Sequence, residues 1–576
     1  MSQPIYNIVA RRTTFSSEHV PEHEFEHLAV GVDPWITVGR EARMEGSGGS
    51  AGNDREPTSP RAPFRSSGSH TMVAMSCTTI LIGKSATYDG STIIARNDDS
   101  GHGKYDPKRF IAVDPADQPR HYRSVLSHVA IELPDDPCRY TIAPNVLNNR
   151  GILAEAGISV RNVAMTATET IAVNERVLAA DPMVEFRPAS GDPHSPDYVP
   201  EQPGGIGEED LITLVLPYVS SAREAVERLG ALLERYGTYE ANGVGISDVD
   251  EVWYVETIGG HHWIARRVPD DCYAAIPNQL GLDDFDLEDA LGDRREHMCS
   301  ADLREWVVAR HLDRSMDRRP EHTRHLNPRK MFGTATSKDH IYNTPRAWYM
   351  QRTLNPGEDW DSPQARYTPI SEDIPWCRRP EERITIGDID FLMSSHYEDT
   401  PYDTYGTRGT EESRRRFRPI GINRNGHLGI LQLRPYEPES NRALIWLSYG
   451  SNPFTSVAPF YANVRTTPEY LSNTSGEVTT NSLYWANRII AAIADPHFTE
   501  NSDAVEHFRE HVLSYGDRLV AQTDAVSRRD EHVPDLLEQS NEMMADYLRS
   551  QTNQLLSQVL YTSSNLMRNA FTMSDR

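Results

Sequence analysis

A thiol, a guanidinium and a pair of carboxylates fall within one stretch that reads as a β-hairpin. Its first arm is Cys77-Thr78-Thr79-Ile80-Leu81-Ile82 and its second is Thr92-Ile93-Ile94-Ala95-Arg96-Asn97-Asp98-Asp99. Asp89-Gly90 between β-branched runs is a strong hairpin signal. The return strand carries Arg96 and Asp99 to the sheet end where Cys77 sits. A tight two-residue turn sets Cys77 against a position just beyond Asp99, and a wider loop sets it opposite Asp98 or Asp99. Either way a thiol, a fixed cation and a carboxylate meet. If the chain is cut before Cys77, a free α-amine joins them.

That combination is chemically competent. A thiol of pKa about 8.5 is only partly thiolate at neutral pH, and a neighbouring Arg shifts it toward the nucleophilic form. An α-amine of pKa about 7.7–8.0 titrates where a general base works best. An N-terminal amine beside its own side-chain nucleophile is one version of the catalytic triad, with an Asp to orient the amine. The competing reading is an ordinary buried cysteine on a core strand.

The run from Cys77 to Gly83, with Tyr88 to Asp99, resembles the start of the cysteine-nucleophile dipeptidases. These are N-terminal-nucleophile (Ntn) hydrolases, related to bile salt hydrolases, penicillin V acylases and secernins. The likeness continues through Ala241-Asn242-Gly243-Val244, Glu251 to Trp263, Ala275-Ile276-Pro277-Asn278-Gln279, Tyr342-Asn343-Thr344-Pro345-Arg346-Ala347-Trp348 and His396 to Asp403. It implies an α+β fold, a four-layer αββα sandwich of the Ntn type, and hydrolysis of unblocked dipeptides without a metal or organic cofactor. It also implies roles. Cys77 is the nucleophile and its amine the base; Arg96 lies near the thiolate and Asp99 holds the amine. Asn148 and Asn278 form the oxyanion hole, and Arg346 is a further arginine of the site. Where relatives have Asn-Glu-x-Gly, this chain has Asn148-Asn149-Arg150-Gly151, a departure at the second position. From the residues alone, Asn148 reads as a turn residue, Asn278 as a loop residue and Arg346 as a surface cation. An acylase for bile salts or penicillin V is the alternative activity, and a non-catalytic secernin-like role a second alternative.

The rest of the chain supplies what must position these groups. Leu211-Ile212-Thr213-Leu214-Val215-Leu216 reads as a short apolar strand, and Ser221 to about Tyr236 has apolar residues at helical spacing. Val252 to Ile258 and His262 to Arg266 read as strands, and from about Ser482 the pattern is helical to residue 576. Residues 1–74, rich in Gly, Ser, Pro and Arg over their second half, read as a flexible extension or a propeptide. Residues 75–576 then form a single domain with a mainly helical region over 482–576.

Composition narrows the partners. With 58 Lys and Arg against 84 Asp and Glu, the net charge of −26 disfavours nucleic acid and anionic membranes. Five cysteines, widely spread and without a C-x-x-C pair, indicate neither a disulfide framework nor a zinc site, which suits the cytoplasm. No run approaches the roughly 20 apolar residues of a membrane span. Self-association into a homo-oligomer stays open. His507-Phe508-Arg509-Glu510-His511 spells an inverted zinc-peptidase motif, but in a polar helix with no third ligand in prospect.

Overall fold

Alternation along the hairpin decides how the layers stack. Ile80, Ile82, Ile93 and Ala95 join one buried apolar cluster, while Leu81 and Ile94 join another on the opposite face. Strands covered on both faces need such continuous apolar runs. The computed structural model describes residues 77–100, 106–166, 169–313, 325–528 and 533–568. The segment 1–74 lies outside the described residues.

The hairpin arms Thr78–Ile82 and Thr92–Asp99 lie at the centre of a seven-stranded antiparallel sheet. Tyr273–Ile276 flanks the first arm, and Asn425–Leu433 flanks the second. The connection is the wider of the two alternatives. Pairing stops at Ile82 opposite Ile93, and Asp89-Gly90 turns inside a longer loop, with Gly90 at φ +85° and the Ser91 N–H donating to Asp89 Oδ1 at 3.0 Å.

A nine-stranded sheet contains Ala156–Ser159, Ala164–Thr166, Asn242–Ser247, Val252–Thr257 and Trp263–Arg267. Ala156, Ile158, Ala164 and Tyr254 share a buried cluster with Leu81 and Ile94, so the two sheets pack on one another. Trp348, Tyr349, Ile389 and Leu392, from helices Thr344–Leu354 and Ile386–Ser394, pack on the far side of the first sheet. Val226 and Leu229, from helix Ala222–Tyr236, pack with Val244 and Trp253 of the second sheet. Ser221 caps that helix, its Oγ accepting the Glu224 N–H at 3.2 Å.

One element differs from its expectation. Leu211-Ile212-Thr213-Leu214-Val215 is a short helix, continued by a 3₁₀ turn over Leu216–Tyr218. A six-residue apolar run has no period that separates strand from helix, and here all of it is buried. The C-terminal region is helical as read: Leu483–Ala494, Phe498–Ser527 and Val533–Asn565. The last two pack on each other and on the edge strand Ala458–Tyr461. Among the described residues no helix is long and apolar enough to cross a membrane.

Candidate active site

Strand register brings the first groups together. Thr78 faces Asn97 on one side, and Thr79 faces Ile276 on the other. Carried on to Cys77, these registers set Asp98 and Asn278 level with it on the two neighbouring strands. Cys77 shares the inter-sheet face of Leu81, and Arg96 and Asp98 share that of Ile94. The thiol is fully buried there.

Arg96 Nη2 donates to Cys77 Sγ at 2.8 Å and lies 2.7 Å from Glu155 Oε2. Lys108 Nζ lies 3.2 Å from Asp98 and 3.3 Å from Glu155, and donates to the Leu153 carbonyl at 2.9 Å. Burial pushes the Glu155 carboxyl up to about 8, with Asp98 and Glu208 adding to the rise and Arg96 and Lys108 opposing it. Glu155 reaches this position through a kinked backbone. Leu153 and Glu155 have φ of +43° and +60°, a left-handed conformation that costs about 1–3 kcal/mol per non-glycine residue.

Asp99 points to the opposite face, where Arg418 and Asn425 both donate to its carboxylate. Arg418 also reaches Thr78 Oγ1 at 3.4 Å, so this ion pair sits beside the residue that follows the thiol. Arg346 is not a surface cation. It is wholly buried in the first turn of helix Thr344–Leu354. It donates to the Cys77 carbonyl, to Thr78 Oγ1 at 2.7 Å, to Asn278 Oδ1 at 2.8 Å and to Asn343 Oδ1 at 2.9 Å. By holding Asn278 Oδ1 it turns the amide so that Nδ2 faces away, where it donates to the Thr170 carbonyl at 3.0 Å. Asn148 opens the 3₁₀ turn Asn148–Arg150 ahead of Gly151; its side chain lies outside the described residues.

Of the six expected site residues, Arg96 meets the Cys77 thiol on the inter-sheet face, and Arg346 ties Asn278 to the Cys77 carbonyl and Thr78. Asp99 lies on the opposite face, linked to Thr78 through Arg418. Sequence reasoning missed Glu155, Lys108, Arg418 and Asn425. Glu155 alone left a signal, as a lone carboxylate in the small-apolar run Leu153-Ala154-Glu155-Ala156-Gly157. Chemically, a buried thiol with a guanidinium at hydrogen-bond distance is set up for thiolate chemistry.

Among the described residues, Cys77, Asp98 and Glu155 are the group of potential metal ligands whose atoms lie within 4.8 Å of one another. Arg96 and Lys108 already occupy these carboxylates, so a cation entering there has two fixed charges to displace. His507 and His511 are exposed and line a surface groove with Gln551, Gln554 and Gln558, neutral side chains that add no carboxylate or thiol. His261 and His262 both direct Nδ1 to Asp181, at 3.1 and 2.7 Å, and are structural.

A buried thiol at a strand end with an arginine at hydrogen-bond distance is an arrangement a cysteine hydrolase could use. Comparison with known proteins gives the family. Residues 76–511 match the model of peptidase family C69, and the match begins one residue before the thiol. A dipeptidase of Bifidobacterium longum is 52% identical over 542 residues, covering 87% of this chain and all of that protein. A probable dipeptidase A of Streptococcus pyogenes is 47% identical over 501 residues, with 87% of this chain and all of its own length covered. Dipeptidase A of Lactobacillus helveticus is 41% identical over 504 residues, covering 87% and 99%. The chain belongs to peptidase family C69, a family of cysteine peptidases.

Proposed function

We propose that the protein is a dipeptidase that cleaves unblocked dipeptides with Cys77 as nucleophile. The observation that carries this reading is the 2.8 Å contact between Arg96 and the Cys77 thiol in a chain with dipeptidase relatives along its length. The α-amine of Cys77, freed by loss of the preceding residues, takes the thiol proton. The thiolate attacks the peptide carbonyl, and the Asn148 amide together with the Nδ2–H of Asn278 that Thr170 does not take donate to the oxyanion; one such donor is typically worth about 10²–10³ in kcat. The ammonium returns the proton to the departing amino acid, and water then cleaves the thioester. Asp99 orients the amine, and Arg346 fixes the Cys77 carbonyl and the Asn278 amide.

Two further parts belong to this reading. Residues 75–576 act as one Ntn-hydrolase domain, and the helix–sheet–sheet–helix packing supports a four-layer αββα sandwich. Residues 1–74 act as a leader, removed on maturation together with Met75 and Ser76. The test is a panel of unblocked dipeptides, their N-acetyl forms, tripeptides, penicillin V and taurine-conjugated bile salts, with EDTA or iodoacetamide added. Turnover of the unblocked dipeptides, abolished by iodoacetamide and indifferent to EDTA, is expected. Cleavage of penicillin V or bile salts with dipeptides untouched would move the assignment to an acylase.

A further inference from the structure

We infer that the His427 imidazole and the Tyr449 hydroxyl form the subsite for the substrate's C-terminal carboxylate. This rests on the dipeptidase reading and names the groups that would read the free carboxyl end.

Strand order puts His427 in line with the nucleophile. Cys77 is level with Asp98 on the neighbouring strand, and Asp98 pairs directly with His427 on the strand beyond. Direct cross-strand partners share a face, so the imidazole joins the thiol between the two sheets. Two strand spacings, about 10 Å, separate the Cys77 and His427 backbones. The direction of the ring is also fixed. A Cβ at Gly429 would stand 3.0 Å from His427 Cε1 and 3.1 Å from Ala156 Cβ, so the ring lies over that glycine, beside the residue that follows Glu155. Gly429 in turn pairs with Arg96, which holds the thiol. On the far side Tyr449, at the end of strand Ala443–Tyr449, pairs with His427, and the two ring centroids are 5.7 Å apart.

The fold itself uses neither polar group. His427 is 1% exposed and Tyr449 is fully buried. Among the described residues both imidazole nitrogens and the Tyr449 hydroxyl lack a hydrogen-bond partner. Buried polar groups are almost always paired, so two adjoining exceptions on the nucleophile's face mark a place that a ligand completes. Burial, reinforced by Lys108 and Arg96 and opposed by Asp98, pushes the imidazole down to about 3. The ring is therefore neutral and offers one N–H, which with the tyrosine O–H makes a pair of donors.

Charge selects the ligand. Arg96 and Lys108 are fixed cations beside the thiol, and Asp98 stands against them as a carboxylate, while burial keeps Glu155 protonated up to about 8. One positive charge is in excess there; it repels an ammonium and draws a carboxylate. In a dipeptide the carboxyl carbon is three bonds beyond the scissile carbon on the leaving side. One residue spans about 3.3–3.6 Å, which suits the short gap between the thiol and the imidazole. An amide in place of the carboxylate removes the charge and turns an NH₂ group toward donors, a strong basis for rejection.

The experiment compares Tyr449→Phe and His427→Leu with the mature enzyme on glycylalanine and glycylalaninamide. The unaltered enzyme should prefer the acid by about tenfold or more in kcat/KM. In each variant KM for the acid should rise by about tenfold with kcat within a few-fold, and the preference over the amide should collapse. Tyr449→Phe should also melt no lower than the parent, because the hydroxyl it removes has no partner. In the unaltered enzyme N-acetylalanine, which is glycylalanine without its amino group, should protect Cys77 from iodoacetamide, and N-acetylalaninamide should not. That readout is independent of whether the variants fold. Equal use of acid and amide by the parent, an undiminished preference in both variants, or equal protection by both acetyl compounds overturns the subsite. Absence of dipeptide turnover in the unaltered enzyme overturns the dipeptidase reading instead, and the protection assay still decides the subsite.

Discussion

Cys77 sits against a guanidinium without depending on it for packing. Its side chain is small, and the strand after it is anchored by pairing on both sides and by Arg346 on its carbonyl. Cys77→Ala should therefore abolish turnover and leave the melting temperature within about 1–2 °C, since the change removes one buried sulfur and no ladder hydrogen bond. Circular dichroism with a dipeptide assay checks both, and residual turnover above a few per cent would remove the thiol from the mechanism. Glu155 makes a different demand. Its carboxyl, raised from 4.5 to about 8 chiefly by burial, holds a proton in the folded chain that the unfolded chain releases. Stability from this group is full below about pH 4.5 and is lost as pH rises through about 8, each tenfold difference in proton affinity between the two states being worth about 1.4 kcal/mol. Glu155→Gln imitates the protonated acid. Urea midpoints should then fall less between pH 5 and 8 in the variant than in the parent. A loss at pH 7 of the 3–5 kcal/mol typical of a broken buried ion pair would instead show an ionised partner of Arg96.

At the level of elements, legibility followed periodicity and failed where pairing is remote. The hairpin was visible because β-branched residues alternate around Asp89-Gly90, and helix Ala222–Tyr236 because its apolar residues repeat at helical spacing. The loop length was not visible, because the Ser85 and Ala86 N–H groups also reach the carbonyl of the sequence-remote Asp270, a contact that leaves no local trace. Lys108, Arg418 and Asn425 enter the site by contacts spanning tens to hundreds of residues, which no local pattern records. The C-terminal helices show the same limit. Their helicity was plain, yet their attachment rests on Asp524, which takes Arg434 at 2.5 and 3.2 Å, Asn441 at 3.0 Å and the Tyr461 hydroxyl at 2.8 Å. Asp524→Asn leaves the buried Arg434 without its counter-charge, so a loss of about 3–5 kcal/mol is expected. Activity per folded molecule should be unchanged, because the site is built on other elements. A thermal melt with active-site titration measures both, and an unshifted melt would mean that the helices are held by their apolar face alone.

For the whole molecule the decisive question is where the active chain begins. The full-length chain has an amide, not an amine, at Cys77, and an amide nitrogen cannot take the thiol proton. The family match starts at Ser76, and the relatives align with 87% of this chain over essentially all of their own length. Arg418, which donates to Asp99, also reaches Thr78 Oγ1, so this ion pair stands one residue from the proposed new N-terminus. A chain of 576 residues that keeps Ser76 should therefore be inactive on dipeptides. A version expressed as Met-Cys77, from which aminopeptidase removes the methionine, should be fully active, with an intact mass beginning at Cys77. Its pH profile should show an acidic limb near the pKa of an α-amine, about 7.7–8.0 before the local charges act on it. Acetylating or carbamylating that amine should silence the enzyme while iodoacetamide still labels the thiol. Full activity with Ser76 attached would place the base elsewhere among the buried acids, with Glu155 the first to examine by substitution.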